Sequence, residues 1–142
     1  MDNRILEHLK RLNQYLVSLK EIAAEEKEKF AEDNILIPAT ERYLQLAIET
    51  CINIGNRILS LEQFNTPVKT PESYADIFKE LAKIGFIEHD FSKKLIHMAK
   101  FRNRLVHLYW HIDSEEVYKI LQNDLPDLEK FMKLTSNYLK KD

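Results

Sequence analysis

Four side chains that could act together on a phosphate ester lie within eight residues: Arg102, Asn103, His107 and Tyr109. A guanidinium group binds phosphate through two parallel hydrogen bonds, and an imidazole titrates near neutral pH and can move a proton. A carboxamide can orient a substrate, and a phenol can serve as a nucleophile or an acceptor. The segment therefore contains a phosphate clamp, an orienting group, a proton shuttle and a hydroxyl.

A helix from about Asp90 to Trp110 is predicted to position these side chains. Arg102 and Tyr109 occupy positions of a helical stripe whose other members are the apolar residues Phe91, Leu95, Met98 and Leu105. On an ideal helix, Arg102 and Tyr109 lie within about 20° of each other. An arginine in such a stripe is costly to bury unless an anionic group meets it. The pattern predicts an anionic partner for Arg102.

Arg102 and His107 are separated by about 140° on an ideal helix, so one helix cannot easily aim both at one phosphate. A two-fold dimer relieves this difficulty, because residues of both protomers can combine in one cleft. We therefore expect a homodimer with a composite site.

Each of these residues also has a purely structural interpretation. Arg102 can form a buried salt bridge, with Glu49 as a candidate partner, and His107 can be a packed core histidine. Either residue alone favours the structural interpretation, whereas the combination with Asn103 and Tyr109 favours a site. Glu49 belongs to a polar stripe that is either the solvent face of its helix or a lining of the same cleft, made of Arg42, Gln45, Glu49, Asn53 and Asn56.

A metal site is the weaker interpretation of the histidines. His107 and His111 have the i, i+4 spacing of zinc-binding histidines, but only Asp113 offers itself as a further ligand. We expect no metal and no other cofactor. Arg104 points away from Arg102 and is expected to be a surface charge or a contact for a phosphate backbone. The single cysteine, Cys51, lies among apolar residues and is expected to be a small buried hydrophobe.

The apolar pattern predicts an all-α fold, a single domain over residues 1–142 built as a bundle of five or six helices. The predicted helices cover about 3–30, 38–64, 70–84, 90–110 and 113–139, and no strand pattern occurs. Thr70 is expected to cap the third helix with Pro71 in its first turn, and Gly85 to end it. Asp113 is expected to cap the fifth helix, which Pro126 kinks or restarts.

Composition sets limits on the partners. The formal net charge of -2 argues against indiscriminate polyanion binding but leaves room for a local basic site. The start of the chain leads into a charged amphipathic helix and not a signal peptide, and no apolar run approaches the roughly 20 residues that span a bilayer. The cysteine count fits a reducing compartment. We expect a cytoplasmic protein with no membrane partner.

The spacing of Arg102, His107 and Tyr109 resembles the Arg-x4-His-x-Tyr signature of HepT-like toxins in the HEPN superfamily. Further similar stretches bring the resemblance to nearly the whole chain, namely residues 40–45, 53–56, 71–74 and 117–118. The resemblance implies a HEPN-like fold and the toxin of a type VII toxin–antitoxin system, a metal-independent RNA endonuclease. It implies catalytic roles for Arg102 as phosphate clamp and His107 as acid and base, supported by Asn103 and Glu49.

The resemblance also implies partners. They are RNA and not DNA, a second copy of the chain, and an MntA-like minimal nucleotidyltransferase antitoxin. In the family, the tyrosine matching Tyr109 is the residue to which that antitoxin transfers AMP. An anionic phosphate beside Arg102 would block the cleft. The alternative is a non-catalytic helical HEPN module that binds a nucleotidyltransferase partner or nucleotide.

Overall fold

The computed structural model describes residues 1–107 and 112–141, and all regular elements in these ranges are helices. They are α1 (Asn3–Ala23), α2 (Lys27–Glu32), α3 (Leu36–Glu62), α4 (Tyr74–Lys83), α5 (His89–Val106), α6 (Ser114–Asn123) and α7 (Leu125–Lys140). The all-α fold expected from the sequence is confirmed. Among the residues described, no helix is both long and apolar enough to cross a membrane.

The described ranges hold seven helices instead of five or six, because two of the predicted helices are divided. The first ends at Ala23, and the short α2 follows with Phe30 buried in the core. The fifth is divided at Asp124, where α6 ends and α7 begins. Pro126 lies in the first turn of α7, where its missing N–H leaves no hydrogen bond unmade.

Helix α3 lies at the centre of the bundle and packs against α1, α4, α5 and α7. It is apolar over most of its circumference, so it can bury residues against several neighbours at once. Its buried residues include Leu44, Ala47, Ile48, Cys51, Ile54 and Ile58. Asp2, the N-cap of α1, binds Arg57 of α3 (Oδ2–Nη2, 2.8 Å). The position of α3 fixes its polar stripe relative to α4 and α5.

The start of α4 corrects the sequence prediction. Ser73 is the N-cap, and its hydroxyl accepts a hydrogen bond from the backbone N–H of Asp76. Thr70 and Pro71 therefore precede the helix and do not open it. The predicted end is confirmed, since Gly85 adopts a φ of +83° just after α4, a conformation that glycine adopts without strain.

Helices α3 and α4 approach closely at Gly55. A Cβ atom placed on Gly55 would lie 2.8 Å from Cγ2 of Ile77 and 3.0 Å from Cδ1 of Leu81. The missing side chain therefore allows α4 to lie directly on α3. This contact holds Tyr74, the first residue of α4, at the edge of the central helix.

Helix α5 is shorter than predicted, running from His89 to Val106 instead of from Asp90 to Trp110. Its apolar stripe behaves as expected, with Phe91, Leu95 and Met98 buried. His107 is the C-cap and has extended backbone angles (φ -85°, ψ 103°). The angle of about 140° expected between Arg102 and His107 on a continuous helix therefore does not apply, and the helix predicted for residues 108–110 lies outside the described residues.

Candidate active site

Arg102 of α5 reaches across to Glu49 of α3. Its Nη2 and Nε atoms donate to the same carboxylate oxygen, Oε1, at 2.7 Å and 3.0 Å. The two side chains are 16% and 27% exposed, so the pair lies at the edge of the core and remains open to solvent. The anionic partner expected for Arg102 is present, and Glu49 is that partner.

Two further contacts hold the guanidinium group of Arg102. Nη1 donates to Oδ1 of Asn103 at 3.2 Å, and the carbon Cζ lies 5.0 Å from the centre of the Tyr74 ring. A cation over an aromatic face at this distance is attracted by the ring electrons. The guanidinium is therefore fixed by a carboxylate, a carboxamide and an aromatic ring.

Arg102 keeps hydrogen-bonding capacity in spite of these contacts. A guanidinium has five N–H groups, and three of them are used by Glu49 and Asn103. The other two have no acceptor within residues 1–107 and 112–141. A side chain with two donors left and a fixed orientation can bind two oxygens of a phosphate.

The electrostatics of the site favour an ionised Glu49. Partial burial opposes ionisation, but hydrogen bonds from Gln45 and Arg102 and the charges of Arg102 and Arg42 outweigh it. The pKa of Glu49 consequently lies below its ordinary value of 4.5. The charges of both Arg102 and Arg42 act at Glu49, and a second arginine beside the ion pair suits an anionic ligand.

His107 lies one turn beyond Asn103, and its backbone N–H donates to the carbonyl oxygen of Asn103 at 3.2 Å. It is exposed at the end of α5, so it is not the packed core histidine of the structural interpretation. Because the backbone is extended here, the 140° separation from Arg102 on a helix does not describe its position. The acid–base role of His107 stays a prediction.

Tyr109 and His111 lie outside the described residues. The expected AMP acceptor and the second histidine of the metal hypothesis therefore stay predictions. Within the ranges that the structure describes, no group of three or more His, Cys, Asp and Glu residues is arranged to hold a metal ion.

An ion pair links α5 and α6, the helices on either side of the segment that contains Tyr109. Arg104 on α5 pairs with Glu116 on α6 through two hydrogen bonds, one of them 2.9 Å long between Nη2 and Oε2. Glu116 is thus paired with an arginine, and the side chain of Asp113 accepts a hydrogen bond from the backbone N–H of Glu115. Asp113 is the N-cap of α6, as predicted from the sequence. Of the two roles expected for Arg104, the structure shows a partly exposed charge that forms an ion pair.

Tyr74 belongs to the site and was not singled out as a functional residue from the sequence. It lies 28 positions before Arg102, and only the antiparallel packing of α4 on α5 brings the two together. The available signal was its place in the segment 71–74 that carries the resemblance. Cys51, by contrast, is 1% exposed, and burial raises the pKa of its thiol, as expected of a small core residue.

Comparison with known proteins identifies relatives of the chain. The family model described as ribonuclease HepT-like matches residues 5–135. The tRNA nuclease HepT of Aphanizomenon flos-aquae is 28% identical over 138 residues, which are 96% of this chain and 83% of that protein. The mRNA nuclease HepT of Shewanella oneidensis is 32% identical over 104 residues, 73% of this chain and 75% of that protein.

The fold is also similar to a solved structure. The tri-AMPylated HEPN toxin of Shewanella oneidensis, in complex with an MNT antitoxin, matches with a TM-score of 0.86 at 26% identity. The match covers 96% of this chain and 99% of the toxin chain. The similarity therefore extends over the whole bundle, including the helices that carry Arg102 and Glu49.

Proposed function

The chain belongs to the HepT-like ribonuclease family, and from this we propose that it is the RNA-cleaving toxin of a type VII toxin–antitoxin pair in the cytoplasm. Its fold is that of a HEPN toxin. The observation that carries the proposal is the arginine on α5. Arg102 is fixed by Glu49, Asn103 and Tyr74, and two of its N–H donors have no acceptor among the described residues.

The proposed reaction needs no metal ion. A base removes the proton of the 2′-hydroxyl, whose oxygen attacks the neighbouring phosphorus atom. The bond to the 5′-oxygen breaks, and an acid returns a proton to that oxygen. The products are a 2′,3′-cyclic phosphate and a 5′-hydroxyl. Arg102 binds the phosphate as negative charge accumulates on it, and its planar fork matches two phosphate oxygens.

His107 supplies the proton transfers in this proposal. It is exposed at the C-terminal end of α5, the helix that carries Arg102, and an imidazole can both accept and donate a proton. In a two-fold dimer, two copies of His107 would flank one cleft, so that one acts as base and the other as acid. DNA lacks the 2′-hydroxyl and is not a substrate of this reaction.

The proposed partner is a nucleotidyltransferase antitoxin of the MNT kind. The related Shewanella toxin is AMPylated and bound to such an antitoxin. We assign the AMP acceptor to Tyr109, because it follows His107 by two residues in the matching signature. The added phosphate would be anionic and would compete with RNA for the N–H donors of Arg102.

The test is cleavage of end-labelled single-stranded RNA by the purified protein in EDTA, with the product ends identified by mass. The parent protein is expected to cut and to leave cyclic phosphate. His107→Ala should lower the rate about 10²–10⁴-fold, the usual contribution of a positioned acid–base group.

His97→Ala is the matched control, because His97 is an exposed histidine on the same helix α5. It should cut at the parental rate. Loss of activity in EDTA with recovery on adding a divalent ion would contradict the metal-free reaction. A protein that cuts no RNA but binds the nucleotidyltransferase tightly would be a non-catalytic module instead.

A further inference from the structure

The polar stripe of α3 continues beyond Glu49 in the direction of the C-terminus. Asn53, Asn56 and Ser60 follow at helical spacing, and all three are exposed. Beside them runs the segment between α3 and α4, which contains Pro71. The stripe identified in the sequence is therefore one wall of a groove and not an open solvent face over its whole length.

Two hollows lie along this wall. One of about 240 Å³ is lined by Asn53, Asn56, Pro71 and Tyr74 above the apolar side chains of Ile52 and Ile77. The other, of about 250 Å³, is lined by Asn56, Ser60, Gln63, Thr70 and Pro71. Asn56 and Pro71 border both hollows, so the two lie next to each other along α3 and are together called the α3 trough here.

The α3 trough begins at the active-site arginine. Tyr74 lines its first hollow and also lies over the guanidinium of Arg102. Asn53 is one helical turn, about 5.4 Å, from Glu49 along α3. The first hollow is therefore next to the arginine site, with Tyr74 between them, and is within reach of the neighbouring group of a ligand whose phosphate binds Arg102.

The chemistry of the first hollow suits a nucleobase better than a phosphate. Its polar walls are the neutral carboxamides of Asn53 and Asn56, which have no hydrogen-bond partner within residues 1–107 and 112–141. Its charged lining residue is Glu72, whose carboxylate would repel a phosphate. Two apolar side chains, an aromatic ring and amide groups around one hollow match how proteins hold unpaired RNA bases.

We propose that the first hollow of the α3 trough binds the nucleobase next to the scissile phosphate, and that Asn53 and Asn56 read its edge. The inference rests on the proposed RNA cleavage and makes it more specific. A carboxamide presents a donor and an acceptor side by side, so it pairs with one base edge better than with others. The sequence preference of the enzyme then originates on α3, outside the residues that do chemistry.

The experiment compares cleavage of four RNAs that differ in the base beside the cut phosphate. Asn53→Ala and Asn56→Ala are measured with Asn13→Ala, an exposed asparagine on α1, as the matched control. The spread of kcat/KM between the best and worst base should shrink about tenfold in Asn53→Ala or Asn56→Ala, mainly through KM. Asn13→Ala should keep the parental spread, and urea unfolding confirms that each variant is folded.

The outcomes distinguish a failure of the nucleobase site from a failure of the proposed RNA cleavage. A parent protein that cuts RNA, with variants that keep its base preference, overturns the nucleobase site and leaves the proposed function intact. Equal loss on all four RNAs also overturns it, because amides that read a base cannot affect all bases alike. A parent protein that cuts none of the RNAs overturns the proposed function and the nucleobase site together.

Discussion

Glu49 accepts three hydrogen bonds on one carboxylate oxygen, two from Arg102 and one from Gln45. Its pKa lies below 4.5, so it is ionised at neutral pH and the ion pair contributes stability there. For a group whose folded-state pKa is lowered, this contribution is lost as the pH falls through that pKa. Glu49→Gln should therefore lower the free energy of unfolding at neutral pH, and the difference from the parent should shrink below pH 4.5.

Urea unfolding of both proteins across this pH range measures the effect. Glu7→Gln is the control, since Glu7 pairs with Lys10 at 4.0 Å on the exposed surface and should show little effect at any pH. A constant difference between the Glu49 variant and the parent at every pH would show that the charge of Glu49 is not what stabilises the protein.

A second prediction about a single residue concerns Tyr109. Tyr109→Phe removes one oxygen and keeps the ring, so the fold should survive. After co-expression with the nucleotidyltransferase, the parent protein should gain the mass of AMP and the variant should not. An adduct that persists in the variant would place the modified residue elsewhere, with Tyr118 or Tyr43 next to test.

The residues of the site differ in how far the sequence could predict them. Glu49 was identifiable because it is the carboxylate in the polar stripe of a helix that is otherwise apolar. Tyr74 lies in a segment that carries the resemblance, but that segment alone does not indicate that its ring contacts Arg102. Its contact depends on the angle at which α4 packs, which is a tertiary property.

The end of α5 shows that the position where a helix ends is difficult to predict from the sequence. The apolar spacing predicted a helix to Trp110, but α5 ends at Val106. Residues 106–111 are mostly β-branched, aromatic or histidine, which form helices less readily than leucine or alanine. Local preference is weak here, so tertiary contacts such as the pairing of Arg104 with Glu116 can decide where the chain leaves the helix.

Gly55 provides a prediction about how the elements pack. A methyl group at this position would lie 2.8 Å from a branch of Ile77, so α4 must shift away from α3. Overpacking of this kind costs about 1–3 kcal/mol, more than the roughly 1 kcal/mol that alanine adds as a helix former. Gly55→Ala should therefore lower the free energy of unfolding and, by displacing Tyr74, also reduce RNA cleavage.

Ser60→Ala is the control for this effect, since it makes a similar change on the exposed side of the same helix. Urea unfolding should find it close to the parent. A Gly55→Ala protein that is more stable than the parent would show that α4 adjusts without cost, and that the close approach does not position Tyr74.

At the scale of the whole molecule, the proposed reaction requires a dimer. We expect sedimentation to show two copies at micromolar concentration. Mixed dimers of the parent with Arg102→Ala keep both histidines and one arginine and should retain part of the activity, whereas mixed dimers of the parent with His107→Ala lack either the acid or the base and should be nearly inactive. A monomer in sedimentation, or equal activity of the two kinds of mixed dimer, would contradict the composite site.

The role of Arg102 in RNA cleavage is tested most directly by comparing two arginines in similar ion pairs. Arg102 pairs with Glu49, and Arg57 pairs with Asp2 at the same kind of half-buried position, with 29% of the arginine side chain exposed. Both alanine variants should lose stability, but only Arg102→Ala should lose RNA cleavage in EDTA, by about 10²–10³-fold at equal folded fraction. Arg102→Lys should restore it only in part, because a point charge lacks the fork. Equal activity of Arg102→Ala and Arg57→Ala would show that Arg102 is a structural ion pair and would contradict the account.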